Sequence, residues 1–399
     1  MERCVVRRTI KEAESGRIFG YEINIEEGSN ESIDLITDFM MVNSNRFISD
    51  KMTIIPFESE ELLRNTVHLF QAEKTIICLG KDVRVTVALK ELVEELKREG
   101  YFFSTSVDSF GKEHVSLAFY IDYIGVDTSK EKDLQLIRDI HLLGKKCIAE
   151  GIESKELYRA AVDAGADFLE GGFIAKTLVK KVDKFKFLKG NFFQFMIEIL
   201  NEEPRISVLE KIVKRDAGMT YALLRMANSC YFALRKRTES IQQSLVIIGL
   251  KKLKQWSYMM SLRQNIDDPA SEELLKLSFT RAKFASELVH YMKGCSVTSG
   301  DAYMIGMFST MEYMVDGNME EILDGLPLND DVKIGLIDKK DVPGDIYRLI
   351  ISYERAYWKQ SKQLAKDLGL PVYLLAQIYI NCIESVNQIW GELMVEYKR

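Results

Sequence analysis

This sequence has few prolines and no closely spaced pair of cysteines, and each shortage excludes a class of protein. Six cysteines are scattered along the 399 residues without a CxxC pair, so neither a disulfide framework nor a zinc knuckle is indicated. We interpret them as reduced thiols, which predicts a cytoplasmic protein. Only six prolines occur and low-complexity tracts are absent, so long disordered linkers are not expected.

Long hydrophobic runs are also missing. No apolar run approaches the roughly 18 residues that a membrane-spanning helix requires, and the N-terminal stretch lacks the apolar core of a signal peptide. We therefore expect neither a membrane span nor a secretory leader. The net charge of −6 argues against broad non-specific binding to nucleic acid or anionic lipid. The length suggests roughly two or three globular domains.

Common catalytic motifs do not occur either. The sequence contains no Walker loop and no G-x-S-x-G element, so nucleotide hydrolysis and serine-based chemistry of those types are not expected. The pair Asn228-Ser229 lies in no such motif, and we interpret it as a turn cap rather than as a nucleophile.

Short β-rich runs and helical patterns alternate through the first half of the chain. In the helix predicted at 86–98, apolar residues recur at helical spacing and form one face. Gly100, Gly144 and Gly165 follow predicted last turns, where a left-handed cap favours glycine. This alternation predicts a parallel sheet or a (β/α) barrel. The predicted strands are 52–57, 75–79, 115–126, 147–149 and 168–175, and the predicted helices are 32–48, 86–98, 133–143 and 154–164.

After residue 190 the strand signals nearly vanish, so the second half is predicted to be all-α. Its methionines at 304, 307, 311 and 314 repeat at helical spacing. We interpret them as a seam facing the core, with an adaptable binding surface as the alternative. Pro371 suits the first turn of a last helix. The helices predicted before it are about 191–201, 205–214, 219–229, 239–247, 250–263, 271–293, 300–314 and 345–366.

Three basic clusters interrupt the otherwise mixed charge pattern, at 176–189, 235–237 and 251–254. We interpret them as solvated helix faces, because they lack the wholly basic surface with interleaved aromatic residues that nucleic-acid-binding proteins present. Contact with an anionic partner is the alternative for the first cluster, and contact with nucleic acid is the alternative for the other two.

The most specific motif of the first half is Ala149-Glu150-Gly151-Ile152-Glu153, which follows a predicted strand and precedes a predicted helix. It closely resembles the AEGVET element of EAL-type cyclic-di-GMP phosphodiesterases. The resemblance covers roughly residues 3–185 and implies a shortened, TIM-like EAL barrel as a domain over 1–188. The other landmarks of that family occur in order: Gly20-Tyr21-Glu22 for the signature, Asp108-Ser109-Phe110-Gly111 for the DDFG loop, Ile124-Gly125-Val126-Asp127 for the KxD strand, and Leu169-Glu170-Gly171-Gly172-Phe173 for the QGY element.

The second half resembles the HDOD family, which implies an all-helical domain over 189–399. Members of that family are similar in fold to HD phosphohydrolases but lack their metal-binding residues. The histidines agree with this, since none is followed by aspartate and His290 alone lies in this half; the others are His68, His114 and His141. One histidine cannot assemble a histidine-rich metal site. The likeness rests on Leu223–Ser229, Ser240–Leu245 and Ile248-Gly249, and it continues through 302–328, Tyr353-Glu354 and Trp358.

The EAL resemblance implies a site of strand-end carboxylates that hold two divalent cations, which activate a water and neutralise the phosphate. Glu22 matches the signature glutamate, Asp108 the first DDFG aspartate and Asp127 the KxD aspartate. Glu150 and Glu153 match the two acids of the AEGVE element. Because clustered acids are only probabilistic evidence for a site, we interpret these five as vestigial.

The remaining positions of that site are disrupted. The metal cage loses the second DDFG aspartate and a strand glutamate, which are replaced by Ser109 and Cys78. Gly125 stands where the family has the KxD lysine that orients or activates the water. Glu26 stands where the family has the signature arginine that binds a phosphate. Each such loss typically costs about 10²–10³ in rate. The disrupted positions are Asn24, Glu26, Cys78, Ser109, Gly125 and Glu170.

We therefore predict a catalytically inactive EAL–HDOD scaffold that mediates protein–protein interactions in bacterial signal transduction. The alternatives are a non-hydrolysing cyclic-di-GMP sensor and a weak cyclic-di-GMP phosphodiesterase. No cofactor is expected, and magnesium or manganese enters only with residual phosphodiesterase activity. The expected partners are signalling proteins and, weakly, cyclic-di-GMP. EAL barrels often pair, so the resemblance permits a homodimer that the sequence does not show.

Overall fold

The computed structural model describes residues 4–26, 51–177, 191–201, 203–215, 217–227, 238, 240–263, 269–314, 317–324 and 328–397. The chain forms two compact units. The first comprises residues 1–178, 351–366 and 371–387, and the second comprises 179–350, 367–370 and 388–399. The helix predicted at 32–48, the pair Asn228-Ser229, the basic cluster at 235–237 and most of the cluster at 176–189 lie outside the described residues.

Eight strands close into a barrel in the first unit, in the order β1 to β8 around the ring. β1 is antiparallel to both of its neighbours, β2 and β8, whereas every other adjacent pair is parallel. The predicted (β/α) barrel is therefore confirmed. The strands are β1 (Val5–Glu12), β2 (Ile18–Ile25), β3 (Met52–Phe57), β4 (Thr75–Leu79), β5 (Phe102–Ser106), β6 (Tyr123–Asp127), β7 (Lys146–Glu150) and β8 (Phe168–Glu170).

The two longest helices between these strands begin at a hydroxyl cap and end at a glycine. In α2 the Thr86 hydroxyl accepts the backbone N–H of Leu89, and Gly100 ends the helix at φ 100°. In α6 Ser154 is the cap and Gly165 ends the helix at φ 90°. Both glycine caps were predicted. The helices are α1 (Glu60–Thr66), α2 (Val87–Glu99), α3 (Val107–Phe110), α4 (Glu131–Gln135), α5 (Ile137–Leu142) and α6 (Lys155–Ala164).

An apolar cluster fills one level of the barrel interior. It consists of Ile10, Ile54, Ile76, Tyr123, Ile148 and Phe168, with four partly buried neighbours. Because inward positions alternate along a strand, the next inward residue lies two positions further on. That step leads from Ile148 to Glu150 and from Phe168 to Glu170, so a polar layer follows the apolar one.

Two predicted strands are longer than the observed ones. The strand predicted at 115–126 pairs only over Tyr123–Asp127, and Val115–Leu117 forms a 3₁₀ turn instead. Val115 and Phe119 are 59% and 88% exposed, so this apolar run is not a buried strand. The strand predicted at 168–175 ends at Glu170, because Gly171 has φ 144°. The sequence patterns also gave no sign of β1, β2, β5 or α1.

The second unit is helical throughout its described residues, as predicted. The helices predicted at 239–247 and 250–263 meet at Gly249, whose φ of 74° breaks the long helix α10. The methionine seam faces the core, since Met304, Met307, Met311 and Met314 are all buried. The helices are α7 (Asn191–Leu200), α8 (Ile206–Lys214), α9 (Ala217–Ala227), α10 (Ile241–Arg263), α11 (Pro269–Val289), α12 (Ser299–Phe308), α13 (Met311–Met314), α14 (Met319–Leu323) and α15 (Asp330–Lys333).

Three further helices contribute to the barrel unit: α16 (Asp341–Glu354), α17 (Trp358–Asp367) and α18 (Val372–Tyr397). Tyr353 is fully buried, its ring packs against those of Trp358 and Tyr379, and its hydroxyl donates to the Val5 carbonyl at 3.0 Å. The predicted domain boundaries at 188 and 189 stay a prediction. The compact units nevertheless place 351–366 and 371–387 with the barrel and not with the helical unit.

Within the described ranges, no single helix is both long and apolar enough to cross a membrane. The pair Trp358–Asp367 and Val372–Gln388, which bends by 107°, meets that test of length and composition only when its two members are combined.

Candidate functional site

The polar layer of the barrel interior gathers three glutamates around one arginine. Glu22 lies on β2, and Glu150 and Glu170 lie at the ends of β7 and β8. Arg8 lies on antiparallel β1 directly opposite Glu22. Catalytic groups of such barrels lie at the carboxyl ends of the strands, so this layer is the candidate site.

Arg8 and Glu170 form a close, buried ion pair in this layer. The Arg8 Nη1 atom lies 3.0 Å from Glu170 Oε1, and Glu170 is only 1% exposed. The other Glu170 oxygen accepts the backbone N–H of Gly151 at 3.1 Å. The residue that replaces the family's glutamine therefore binds groups of this chain with both oxygens.

Burial changes the pKa of the other two glutamates, Glu22 and Glu150. Burial, together with the charges of Glu170 and Glu150, raises the pKa of Glu22 well above its ordinary value against the opposing effect of Arg8. Burial and then the charges of Glu170 and Asp127 raise the pKa of Glu150 to about 8. Burial and mutual repulsion thus raise the pKa of both glutamates, because the buried layer holds more acidic than basic groups.

Gly125 makes room for the Glu150 side chain. A Cβ atom on Gly125 would lie 2.2 Å from Glu150 Oε1, far inside van der Waals contact. Glu150 thus occupies the space in front of the position where the EAL family has its lysine. The observed conformation of Glu150 therefore depends on glycine at position 125, since any larger side chain there would displace it.

Cys78 lies where the family has a strand glutamate, and it remains a neutral thiol. Burial raises its pKa to about 12, and the nearby charges of Glu150 and Glu22 act in the same direction. A cysteine binds metal as the thiolate. Cys78 therefore does not substitute for the missing carboxylate ligand.

The acids of the DDFG and KxD elements lie outside the polar layer and share one lysine. Lys130 Nζ lies 2.8 Å from Asp108 and 3.7 Å from Asp127. The hydrogen bond from Lys130 is the main cause that lowers the pKa of Asp108. Burial acts to raise the pKa of Asp127, but hydrogen bonds from Ser129 and Lys130 outweigh it and lower the pKa overall.

Ser109 has a local structural role in place of the second DDFG aspartate. Its backbone N–H and its hydroxyl both contact the Ser106 hydroxyl, at 3.2 and 3.0 Å, and Ser106 is the cap of α3. Asn24 lies on β2 opposite Val6, and its side chain is an uncharged amide. Neither side chain supplies a further anionic ligand.

Two acids at the edge of the site are paired with the C-terminal helices. Lys362 Nζ lies 2.7 Å from Glu26 Oε1, and the other Glu26 oxygen accepts the Cys4 N–H at 3.3 Å. Arg355 Nε lies 3.8 Å from Glu153 Oε2, while Glu153 Oε1 accepts the Gly172 N–H at 3.1 Å. Both basic residues belong to the barrel unit.

The donors present do not fit a pair of divalent cations. Among the described residues no group of three or more His, Cys, Asp or Glu side chains is arranged to hold a metal ion. Magnesium requires an octahedral shell of oxygen ligands, usually with carboxylates that converge on one point. Here Glu22 and Glu150 lie in the buried polar layer with Arg8, while Asp108 and Asp127 lie outside it and pair with Lys130.

The sequence analysis missed the four basic residues that pair with these acids. Arg8 alternates with Ile10 along β1, so recognition of that strand would have placed it in the barrel interior. Lys130 follows Asp127 by three residues and was detectable as a local pair. The pairing of Arg355 and Lys362 with their acids could not be predicted from local sequence patterns, because the partners are distant in the sequence.

Comparisons with known proteins agree with this arrangement of a barrel and helices. The model of the HDOD domain family matches residues 188–315. The uncharacterised protein YuxH of Bacillus subtilis is 24% identical over 356 residues, which cover 86% of this chain and 86% of YuxH. The cyclic di-GMP phosphodiesterase CdgJ of Vibrio cholerae is 24% identical over 367 residues, which cover 88% of this chain and 84% of CdgJ.

A solved structure is also similar to part of the chain. It is the EAL enzyme Bd1971 in its cAMP- and cyclic-di-GMP-bound form, with 18% identity and a TM-score of 0.35. The match covers 47% of this chain and 64% of that one, so less than two thirds of that structure is represented. The HDOD match and the two relatives, together with the barrel, confirm the EAL–HDOD resemblance drawn from the sequence.

Proposed function

We propose that this protein is a signalling scaffold of the EAL–HDOD type whose barrel does not hydrolyse cyclic-di-GMP. The proposal rests on one observation: the carboxylates inherited from the site do not converge on a cation. Asp108 and Asp127 pair with Lys130, Glu153 pairs with Arg355, and Glu22 and Glu150 lie buried beside the Arg8–Glu170 ion pair. Such a site neither seats paired metal ions nor supplies an activated hydroxide.

The shortage of carboxylate ligands disfavours metal binding more than the individual ion pairs do. Lys130 is 42% exposed, and exposed pairs of this kind stabilise a protein by about 0–1 kcal/mol. A divalent cation with a complete shell would displace such a lysine. Since Cys78, Ser109 and Gly125 supply no carboxylate, the shell is incomplete whether Lys130 is present or not.

Binding of the intact dinucleotide is also disfavoured. Arg8 is the basic side chain of the polar layer, and Glu170 already holds its guanidinium. Glu26, at the position of the family's phosphate-binding arginine, turns to Lys362. A phosphodiester would face an excess of carboxyl groups, and charge-assisted contacts to phosphate require free cationic donors. Protein partners are therefore the expected ligands of the scaffold.

A turnover assay with the full-length protein tests the proposal. Cyclic-di-GMP is incubated with magnesium or manganese, and the linear product is measured by liquid chromatography. We expect no product above that of Glu22→Gln, a variant that removes the signature carboxylate. Metal-dependent product that disappears in Glu22→Gln would overturn the proposal.

A weak phosphodiesterase is the second candidate, because CdgJ carries that name and is similar over most of this chain. The same assay decides between the two candidates. Calorimetry with cyclic-di-GMP addresses the sensor alternative, for which a micromolar or tighter dissociation constant without turnover is required. A pull-down from the native host would then identify the signalling partners and any homodimer. Cytoplasmic location is part of the proposal and rests on the scattered free cysteines.

A further inference from the structure

A cavity of about 160 Å³ lies in the second unit, between the end of α7, the start of α12 and the start of α15. Ile197, Leu200, Met304 and Val332 form its apolar wall. An engineered cavity of about 150 Å³ holds a benzene molecule, so this volume suits a ligand of roughly five or six heavy atoms. The candidate site of the barrel is not involved, because every lining residue belongs to the second unit.

Asp301 supplies a buried charge at this cavity. It is 8% exposed and lines the cavity near the start of α12. One of its oxygens accepts the Thr298 hydroxyl at 2.7 Å, and the other accepts the Asn329 amide at 2.7 Å. Each carboxylate oxygen has a further lone pair beyond the one that these contacts use.

This charge is not matched by a cation at the cavity. Thr298 and Asn329 are neutral donors, and no lysine, arginine or histidine occurs among the described residues that line the cavity. Buried carboxylates are usually paired with a cation or bound to a metal. Capping of α12 explains the Thr298 contact but does not require a charge, because the Asp301 backbone N–H already donates to the Thr298 hydroxyl oxygen.

The adjacent backbone adds partial charges of both signs. Leu200 ends α7, and a Cβ atom on Gly300 would lie 2.9 Å from the Leu200 carbonyl oxygen, so that carbonyl lies beside the cavity. Carbonyl groups at the end of a helix favour a cation. The start of α12 contributes the opposite partial charge, but Asp301 itself offsets it. Among the described residues that line the cavity, Asp301 is the one charged side chain.

We propose that this cavity binds a small cationic ligand, an ammonium group on a short apolar chain. The ammonium donates to Asp301 and the chain packs against Ile197, Met304 and Val332. This site is independent of the proposed function, since its ligand is neither a nucleotide nor a metal ion.

The test uses full-length protein with ¹³C-labelled methionine methyl groups, in which Met304 reports from the cavity wall. Butylammonium, butanol and butyrate serve as probes, because they share a chain and differ in charge. Met304→Leu identifies the signal among those of the 16 methionines. We expect a saturable shift with butylammonium, binding weaker by about tenfold with butanol, and no binding of butyrate.

Asp301→Asn retains the shape and removes the charge. Its amide oxygen accepts the Asn329 amide as before, whereas its amide nitrogen donates, so the hydrogen bond with the Thr298 hydroxyl is kept with its direction reversed. We expect this variant to abolish the preference for butylammonium over butanol and to leave butanol binding unchanged. Glu287→Gln removes an acid of the same unit outside the cavity and should change neither affinity. Val332→Leu should weaken both probes by filling the cavity, which provides a second test if Asp301→Asn does not fold.

Three results would overturn the proposal. The first is a Met304 signal that does not move with butylammonium, and the second is equal binding of butylammonium and butanol by the unmodified protein. The third is a folded Asp301→Asn variant that keeps the preference. Because turnover of cyclic-di-GMP is measured separately, none of these results bears on the function proposed for the barrel.

Discussion

At the scale of single residues, the polar layer of the barrel combines three fully or partly buried glutamates with one arginine. Three glutamates share the interior with Arg8, and only Glu170 has a close ion pair with it. Glu22 and Glu150 remain half-buried, and the cost of burying their charge keeps them protonated at pH values where an exposed glutamate is ionised. Burial of these acids therefore makes the stability of the interior depend on pH.

The raised pKa of Glu150 predicts how stability depends on pH. A glutamate in the unfolded chain has a pKa of roughly 4.3, whereas burial raises that of Glu150 to about 8. Between these values the folded state binds a proton that the unfolded state lacks. The stabilisation is therefore complete below the lower value and is lost as the pH rises through the upper one, by up to about 1.4 kcal/mol per pH unit for one group.

Urea unfolding of full-length protein between pH 5 and pH 9 measures this effect. We expect the free energy of unfolding to decrease with pH, and Glu150→Gln to flatten the decrease. Glu91→Gln, which changes an exposed acid on α2, should leave the profile unchanged. A Glu150→Gln profile parallel to that of the unmodified protein would contradict the assignment.

At the scale of elements, the C-terminal helices hold β1 in place. β1 is the strand that runs against both of its neighbours, and its Val5 exchanges two hydrogen bonds with the Tyr353 hydroxyl, at 3.3 and 3.0 Å. Arg8 donates from the same strand to the Arg355 carbonyl. The barrel is therefore anchored by residues 348 positions away in sequence.

Tyr353→Phe tests this anchor with the smallest change available. Loss of the hydroxyl leaves the Val5 N–H and carbonyl without their partner in a buried place, which costs about 1–3 kcal/mol. We expect a lower free energy of unfolding in urea and faster hydrogen exchange of the Val5 amide. Tyr373→Phe is the matched control, since Tyr373 is 54% exposed; an equal effect of both changes would argue against the anchor.

At the scale of the whole molecule, the compact units do not follow the order of the chain. Residues 351–366 and 371–387 return to the first unit after the chain has passed through the second. The barrel unit is therefore completed by helical segments that follow the HDOD match at 188–315. A barrel of this kind is not expected to fold when it is cut from the chain after residue 188.

Two C-terminal truncations test whether residues 351–366 and 371–387 are needed for the barrel to fold. A chain that ends at Ile350 loses both returning segments, and we expect it to lose cooperative unfolding of the barrel or to aggregate, because the Val5 side of β1 becomes exposed. A chain that ends at Asn387 keeps both segments and should retain the cooperative transition. Circular dichroism and gel filtration measure the difference, and a well-folded protein ending at Ile350 would refute the role of these helices.

The sequence by itself determined the local features of this protein. The helix α2 with its apolar face and glycine cap, the alternation of strands and helices, and the carboxylate motifs of β7 and β6 depend on short-range patterns. They were predicted at nearly their observed positions. The all-helical second half and the burial of the methionine seam were also predicted from short-range patterns, namely the helical spacing of apolar residues.

The tertiary structure decided which groups meet the inherited carboxylates. Arg355 and Lys362 reach Glu153 and Glu26 only because the chain returns to the barrel, and no periodicity encodes that return. The protonation of Glu22 and Glu150 is likewise a property of their shared burial. Local patterns follow from steric preferences of neighbouring residues, whereas charge pairing depends on distances that exist only after the barrel has closed.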